Sequence, residues 1–507
     1  MTSIQESTRD ENKNSSTCAV IGAGIGGLAS ACLLAAKGHS VTLFEKNETA
    51  GGKMQEIRAD GFRFDTGPSL MTMPEVLSQI FDAAGRSMND EIELTEPDPI
   101  CRYIYPDGTI FDSFTQLDKA VAEVERIAPE DRDAYIEFLN FIRELYEKTA
   151  DAFLFNPLYE LRDLSSLRLL DALSIDAFTT VSSRIDRTFT SPYLRTFFKR
   201  FTTYNGSDPY QAPGTLNVIP HIELNEGGYY VKGGLYAVAR SLRNLAESLG
   251  VQFRFRCDAN ALETKGKKVN ALRLADGSRH TFDWFFSNSD ATETLTRLLP
   301  NHAIPSWYRT LQKNLEPSCS GFVLLLGCTR QWDILRHHTI FFSDRYQQEF
   351  TDMFRHKIMP EDPTIYVANT SYSDPEDAPE GSSNLFVLVN APYLSDKTQW
   401  DRDRDHTAEK ILETLESRGL SGLRSSIRYR HIITPQDLYN TTRSNKGSIY
   451  GTSSNGRFSA FLRPRNRVRA LENLFLTGGS THPGGGIPLV VQSAIHAVTL
   501  FERKINE

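Results

Sequence analysis

The chain has 507 residues, of which 40% are hydrophobic and 10% are aromatic. A chain of this length exceeds one comfortable hydrophobic core, so we expect two or more domains. The formal net charge of -8 argues against general nucleic-acid binding and favours solubility. Residues 1–17 hold no apolar stretch of the signal-peptide kind and are interpreted as a disordered tail.

No apolar run approaches the ~18 residues that a transmembrane helix requires, so any membrane contact is expected to be peripheral. The six cysteines show neither a CxxC pair nor metal-ligand spacing. Their pattern predicts a reduced cytoplasmic compartment and no metal site.

The N-terminal run Cys18-Ala-Val-Ile-Gly-Ala-Gly-Ile-Gly-Gly27 predicts a strand, a glycine turn and the start of a helix, and a second strand ends at Glu45. Gly22 permits the tight turn, Gly24 lets the backbone approach a diphosphate, and Gly27 lets the helix pack on the strand. The helix N-terminus favours an anion, and Glu45 is placed to bind a ribose. This pattern predicts binding of an ADP-containing dinucleotide. A glycine-rich turn in another α/β unit is the alternative, and it leaves Glu45 without a role.

Alternating residues around Pro106-Asp107-Gly108 predict a hairpin over 102–111. Apolar residues then recur at helical spacing from 115 to 203, and a helix is predicted over 235–249. Further strands are predicted, in chain order, over 251–256, 269–274, 284–286, 322–328, 364–368 and 385–390, with one clear helix over 407–418.

The last 40 residues return to a strand, a glycine turn and a helix. Leu474-Phe-Leu-Thr-Gly-Gly479 predicts a buried strand that runs into the turn, and a helix follows from Ile487 to Phe501. We expect this unit to rejoin the sheet that the N-terminus begins, with the substrate domain inserted between the two.

Three runs resemble one family. They are Ala50-Gly-Gly-Lys53, Gly61-Phe-Arg-Phe-Asp-Thr-Gly-Pro-Ser69 and Asn473-Leu-Phe-Leu-Thr-Gly-Gly-Ser-Thr-His-Pro-Gly-Gly-Gly-Ile-Pro488. These runs are similar to those of the flavin-dependent carotenoid desaturases of the bacterial phytoene-desaturase type, within the amine-oxidase-like flavoproteins. Residues 204–217 look more like the branch that acts on hydroxylated carotenoids, the hydroxycarotenoid 3,4-desaturases. The resemblance implies FAD as cofactor and an acyclic carotenoid as substrate.

The fold class that follows is α/β. We expect a Rossmann-like FAD-binding domain of discontinuous segments, an inserted α+β substrate domain and a helical membrane-associating region. The predicted FAD-binding segments are 18–110, 218–300 and 461–507. The substrate domain is predicted over 111–217, which includes the membrane-associating region, and over 301–460.

The resemblance also implies where FAD binds. Gly51, Gly52 and Lys53 are expected near the second phosphate, although Lys53 also suits a solvated surface. The backbone of 66–69 is expected against the isoalloxazine ring, or to form an ordinary turn. The predicted cofactor-binding residues are Gly22, Gly24, Gly26, Gly27, Glu45, Lys46, Gly51, Gly52, Lys53, Gly67, Pro68, Ser69, Ala259, Gly479, Gly486, Ile487 and Pro488.

Two of these positions carry a specific expectation. Ala259 matches the family position whose backbone meets the adenine. The helix that begins at Ile487 would stabilise an anionic reduced flavin. Related flavoproteins often have an acid after the last strand, and here Gly479-Ser-Thr481 supplies hydroxyl groups instead.

No catalytic residue is predicted, because desaturation removes a hydride to flavin and a proton from the neighbouring carbon, and the polyene delocalises the charge. His482 suits either a structural or a catalytic role. His221, Glu223 and Glu226 are either proton acceptors or structural and solvated groups. Oxygen or a quinone is the terminal electron acceptor, and the sequence does not choose between them.

Membrane contact is expected from apolar segments at 152–161, 167–173 and 193–198, which equally suit a protein core. Four arginines alternate at positions 463, 465, 467 and 469, where they suit either lipid head groups or a solvated loop. The sequence thus predicts a desaturase attached peripherally to the membrane. Two alternatives are an isomerase or saturase of the same fold, and a flavin-free escort protein for prenylated clients.

Overall fold

Both ends of the chain contribute to one parallel sheet. In the computed structural model, which describes residues 15–157, 176, 178–456 and 462–507, β1 (Thr17–Ile21) pairs on one side with β2 (Ser40–Phe44). On its other side it pairs with β13 (Trp284–Ser287), which pairs in turn with β19 (Leu474–Leu476). The C-terminal unit therefore rejoins the sheet that the N-terminus begins, as predicted.

A fifth parallel strand, β9 (Gln252–Arg254), completes this sheet beside β2. The remaining strands are, in chain order, β3 Glu56–Ala59, β4 Phe62–Asp65, β5 Leu94–Thr95, β6 Cys101–Ile104, β7 Ile110–Ser113, β8 Tyr230–Val231, β10 Ala259–Lys265, β11 Lys268–Leu274, β12 Arg279–His280, β14 Ser320–Cys328, β15 His338–Phe341, β16 Ile365–Asn369, β17 Ser383–Ala391 and β18 Ile427–Ile433.

The helices cover most of the predicted helical stretches. They are α1 Ile25–Ala36, α2 Pro74–Ala83, α3 Leu117–Ile127, α4 Arg132–Ala150, α5 Val181–Thr188, α6 Pro192–Lys199, α7 Ile219–Leu224, α8 Tyr236–Ser248, α9 Ala291–Glu293, α10 Ser306–Asn314, α11 Tyr346–Phe350, α12 Trp400–Ser417, α13 Leu423–Ser426, α14 Pro435–Thr442 and α15 Ile487–Ile505.

The second large sheet has seven strands in the order β18-β14-β17-β16-β15-β6-β7. The predicted hairpin is present as β6 and β7, and β6 pairs in parallel with β15 of this sheet. The division between domains at residue 110 stays a prediction, and this pairing favours a boundary before residue 101.

Helix α12 begins seven residues before its predicted start. Its first turn is rich in charged residues, which hid the helical pattern, but Trp400 is buried and anchors it in the core. Helices α10, α11, α13 and α14 were also missed within 305–445, because each is short.

The stretch 193–198 lies in α6 and belongs to the protein core, so its membrane-facing interpretation is wrong. Phe198 packs on Phe138 of α4 and stacks on Phe189, with ring centroids 4.6 and 4.8 Å apart. Residues 158–175, which include all of the candidate membrane segment 167–173 and the last four residues of 152–161, lie outside the described residues.

The contact between α1 and β1 depends on Gly27. A Cβ placed there would lie 2.0 Å from the carbonyl oxygen of Gly22, so any side chain must displace backbone. We expect Gly27→Ala to destabilise the protein by about 3 kcal/mol or more, since overpacking against rigid backbone is at the costly end of such changes. Thermal denaturation measures the loss. Gly456→Ala is the matched control, because its added Cβ meets no atom of the described residues within 4 Å. Equal melting temperatures for the two variants would contradict this packing role.

Candidate cofactor and substrate site

The loop after β1 brings Glu45 to the glycine turn. Gly22 has φ +94°, in the left-handed region that favours glycine, and its N–H donates to the carbonyl of Phe44 over 2.7 Å. Glu45 follows β2 and is 5% exposed, and it accepts hydrogen bonds from the backbone N–H groups of Ala23 (2.7 Å) and Asn47 (2.9 Å). The acid thus lies beside the glycine turn, where the predicted ribose would bind.

Two helices begin at this site without a side-chain cap. Gly24 is the N-cap of α1, and Gly486, with φ +101°, is the N-cap of α15. In neither case does a side chain bond the free N–H groups. Uncapped helix N-termini attract negative charge, so two separate parts of the chain offer anion-binding groups here.

Asn288, directly after β13, lies between the two glycine loops. Added Cβ atoms at Gly24, Gly26 and Gly478 would lie 2.8, 2.6 and 2.5 Å from its amide atoms. The three glycines are therefore needed for this amide to fit. Nearby, Asp290 caps α9 by accepting a hydrogen bond from the N–H of Thr292 (2.9 Å).

The hydroxyl groups of Ser480 and Thr481 stabilise the last glycine loop through hydrogen bonds within the protein. Ser480 Oγ accepts from the N–H of Ala291 (2.8 Å), and Thr481 Oγ1 donates to the carbonyl of Gly478 (2.7 Å). These hydroxyls therefore brace the turn that leads to α15.

Every predicted cofactor-binding residue except Gly27 lines a single cavity of about 1140 Å³. This volume exceeds the usual range for one small-molecule ligand, so there is room for a cofactor and a second molecule. Gly27 lies outside the lining and serves helix packing.

Lys46 and Lys53 bind protein carbonyls. Lys46 Nζ donates to the carbonyl of Asn440 (2.6 Å), and Lys53 Nζ donates to those of Ser448 (2.9 Å) and Ile449 (2.5 Å). Burial lowers the pKa of Lys53 to about 8, so its solvated-surface interpretation is wrong. Both lysines hold residues 435–450, which we call the covering segment, across the cavity.

A third contact, between Arg443 and Asp258, holds the covering segment in place beside Ala259. Arg443 makes two hydrogen bonds to the carboxylate of Asp258, of 2.7 and 2.6 Å, and all three residues line the cavity. Neither Asp258 nor Arg443 was predicted. No sequence motif surrounds Arg443 that would have indicated its contact with Asp258.

The four alternating arginines do not share one side. Arg463 is buried and donates to the carbonyls of Tyr450 (3.1 Å), Gly479 (3.0 Å) and Thr452 (2.9 Å), while Arg465 and Arg469 are exposed. Burial lowers the pKa of Arg463 to about 10. Both the lipid-facing and the solvated interpretations are therefore wrong for Arg463.

His482 lines the cavity, but its contacts are structural. Its Nε2 donates to the carbonyl of Asn156 (3.1 Å), and its ring stacks on His496, 5.5 Å away. Burial lowers the pKa of His482 to about 3, so the ring is neutral. Among the suggested proton acceptors, Glu223 lines the cavity, whereas His221 Nε2 and Glu226 Oε1 lie 3.3 Å apart outside the lining.

The other half of the cavity is apolar. It lies under the seven-stranded sheet, and Phe178, which is 65% exposed, marks where it reaches the surface. The sheet residues that line it are Val323, Ile340, Phe386 and Leu388, together with the polar residues His338, Tyr366 and Asn390. This wall suits a hydrophobic second molecule.

Two features are absent from the described part of the chain: a metal-binding cluster and a membrane-spanning helix. Among the described residues there is no group of His, Cys, Asp and Glu able to hold a metal, and no helix long and apolar enough to span a bilayer. The six cysteines are all free thiols.

The two glycine loops, the acid at the second strand and the paired helix N-termini define a dinucleotide-binding oxidoreductase. Residues 25–500 match the family model described as flavin containing amine oxidoreductase. The chain is 35% identical over 479 residues to a 1-hydroxycarotenoid 3,4-desaturase of Flavobacterium sp. (strain P99-3), covering 94% of this chain and 96% of that protein. It is 34% identical over 477 residues to a 4,4'-diapolycopene oxygenase of Methylomonas sp, covering 94% and 95%.

A solved structure extends the likeness to the fold. Cyclohexylamine oxidase from Brevibacterium oxydans IH-35A aligns with a TM-score of 0.63 and 15% identity, over 97% of this chain and 100% of that one. The chain belongs to the flavin-containing amine oxidoreductase family and is an FAD-dependent oxidoreductase. The predicted family and cofactor are confirmed, and the individual contacts to FAD stay predictions.

The residues present fit FAD. The uncapped start of α1 suits the diphosphate and Glu45 suits the ribose, while the start of α15 would stabilise negative charge on the reduced ring. When bound, FAD supplies a hydride acceptor.

The tie between Arg443 and Asp258 should slow the release of FAD. Because both side chains are about one-third exposed, their pair contributes about 0.2–1 kcal/mol. We expect Arg443→Gln to speed FAD dissociation by about 2- to 5-fold, measured as the rise of free-flavin fluorescence after dilution. Arg443→Gln with Asp258→Asn should add little more.

The control is Arg256→Gln, which removes an exposed arginine paired with Glu48 close by. Its dissociation rate should match that of the unmodified protein. If Arg443→Gln and Arg256→Gln release FAD equally fast, the covering segment does not retain the cofactor through this pair.

Proposed function

We propose that this enzyme desaturates an acyclic carotenoid, either phytoene-type or hydroxylated, by hydride transfer to FAD. One observation carries the proposal: the predicted FAD-binding loops and an apolar wall share one cavity of about 1140 Å³. A polyene in the apolar half would lie against the segment 66–69, which is predicted to contact the flavin ring. The similarity to a hydroxycarotenoid desaturase supports the same substrate class.

The protein's own groups would orient and desolvate the substrate. Loss of a hydride from an allylic carbon to FAD and of a proton from its neighbour to the solvent would leave a new double bond. The N-terminus of α15 favours the negative charge that then develops at the cofactor. The apolar strands exclude water from the polyene.

We further propose a cytoplasmic location, with peripheral contact to the membrane where Phe178 marks the cavity mouth. A hydrocarbon dissolved in lipid could enter there without crossing water. Either oxygen or a quinone would then reoxidise the flavin.

A second candidate is oxygenation of a carotenoid end group. The 34% identity to a diapolycopene oxygenase is nearly equal to that with the desaturase, so the comparisons favour neither strongly. Desaturation lowers the product mass by one hydrogen molecule, whereas oxygenation adds oxygen.

The test uses the full-length protein loaded with FAD and mixed with liposomes that contain acyclic carotenoids. Without oxygen, we expect the flavin absorbance to bleach and the carotenoid absorbance to shift to longer wavelength, with one hydrogen molecule lost by mass spectrometry. Protein stripped of FAD is the control and should regain activity when FAD is restored.

Other outcomes identify the alternatives. Unchanged or shortened conjugation would indicate an isomerase or a saturase. A colourless protein that still binds prenyl chains would indicate an escort protein. In a parallel reaction supplied with oxygen, a product that carries new oxygen would indicate an oxygenase.

A further inference from the structure

A charged pair lies inside the largely apolar half of the cavity. Arg200 and Glu223 are 4% and 1% exposed, both line the cavity, and Arg200 Nη2 donates to Glu223 Oε1 over 2.8 Å. Buried pairs of this kind seldom add stability compared with well-packed apolar residues. Their presence in a wall that meets the substrate therefore points to a role in binding.

Aromatic residues hold the guanidinium in one position. Its central carbon lies 4.2 Å from the ring centre of Phe201, and Nη2 also donates to the hydroxyl of Tyr103 over 2.5 Å. The hydroxyl of Tyr204 donates to Glu223 Oε2 over 2.5 Å, which fixes the carboxylate as well. The pair is thus preorganised before any ligand binds.

Part of the guanidinium has no partner. Both of its hydrogen bonds run from Nη2. Within the described part of the chain, Nε is buried without a hydrogen-bond partner, and Nη1, which is not fully buried, makes no hydrogen bond. An unsatisfied charged donor costs about 1–3 kcal/mol or more when it is shielded from water. A pure hydrocarbon offers no acceptor, whereas a hydroxyl or carbonyl oxygen does.

The same region is connected to the predicted flavin-binding segment. Tyr366 shares hydrogen bonds with Ser69 Oγ and with His338 Nδ1, the latter over 2.7 Å. Burial, together with the nearby charges of His337 and Arg200, holds the pKa of His338 well below its usual value. The charge of Arg200 therefore acts on His338, which is linked through Tyr366 to the segment 66–69 that is predicted to contact the flavin.

We propose that Arg200, held by Glu223 and Tyr204, binds an oxygen atom at the end of the carotenoid substrate. The preferred substrate then carries a terminal hydroxyl or carbonyl group and is oxidised close to that end. This inference rests on the proposed function and selects the oxygenated class within it.

The test compares two acyclic carotenoids with the same conjugated system, one with a terminal hydroxyl and one without. The unmodified FAD enzyme should favour the hydroxylated substrate in kcat/KM by about 100-fold or more, because a site built to bond a hydroxyl rejects an analogue that lacks it. In the double variant Arg200→Met, Glu223→Gln, which leaves no unpaired buried charge, the ratio should fall to within a few-fold of one. The loss should appear mainly in KM, since this contact is made before and during the reaction.

The matched control removes a similar pair from the same region. Arg102 makes two hydrogen bonds of 2.8 Å to Asp112 between β6 and β7, and neither residue lines the cavity. The double variant Arg102→Met, Asp112→Asn should keep the substrate ratio of the unmodified enzyme. Flavin content and melting temperature of each variant verify that it folds, and Arg200→Lys should retain part of the preference.

Equal turnover of both substrates by the unmodified enzyme would overturn the inference. So would a proportional loss of both substrates in the Arg200 variants, because that result indicates a structural pair. If neither carotenoid is oxidised, the proposed function fails, and equilibrium binding of the two polyenes, followed by quenching of flavin fluorescence, decides the subsite alone. Tighter binding of the hydroxylated polyene, lost in the double variant, would still support it; equal binding would reject it.

Discussion

The site depends on the parallel pairing of three short strands that are far apart in the sequence. Ile21 of β1, Ser287 of β13 and Leu476 of β19 are aligned across the sheet. Since parallel strands end at the same edge, the loops that follow them meet there. Two glycine turns, the Asn288 amide between them and the starts of α1 and α15 all follow from this register. A shift of one strand would separate the two helix N-termini and remove the close fit of glycines around Asn288.

This edge leaves one side of the cavity open, and the covering segment closes it. Its ties come from both directions: lysines of the N-terminal segment donate to its carbonyls, and its own Arg443 reaches back to Asp258. Lysine ammonium groups bonded to neutral carbonyls keep their positive charge, which carboxylates nearby offset only in part: Asp258 and Glu45 for Lys46, and Asp290 for Lys53. Lys46 and Lys53 can therefore hold the segment and still contribute positive potential where a diphosphate is expected. The structural role that the structure shows and the electrostatic role that the sequence predicts are compatible.

The most reliable sequence predictions concern structural units whose pattern is contained within about 30 residues of the chain. The β1–turn–α1–β2 unit and the C-terminal strand and helix carry their own glycine and apolar patterns, and the structure has both. The covering segment was missed because its position depends on contacts with Lys46, Lys53 and Asp258, which lie between 185 and 396 residues away from their partners along the chain. Arg463 was misjudged for a related reason: alternation along the chain predicts a shared side only in an extended strand, and this segment is a loop that turns its first arginine inward. The charged start of α12 and the pair of Arg200 with Glu223 likewise depend on tertiary burial, which the local pattern does not record.

The pair of Arg200 and Glu223 also has to be compatible with the proposed oxidation of a polyene. In that reaction, removal of a hydride would make the polyene transiently positive. An isolated guanidinium 4 Å from such a charge would oppose it by about 4 kcal/mol at an effective dielectric constant near 20. Glu223, 2.8 Å from Arg200, cancels most of this repulsion, so the guanidinium can offer hydrogen-bond donors without hindering the reaction. A lysine alone, or an arginine without its carboxylate, would lack this balance. The neutral His338 close by fits the same requirement, because a second cation there would restore the repulsion that Glu223 removes.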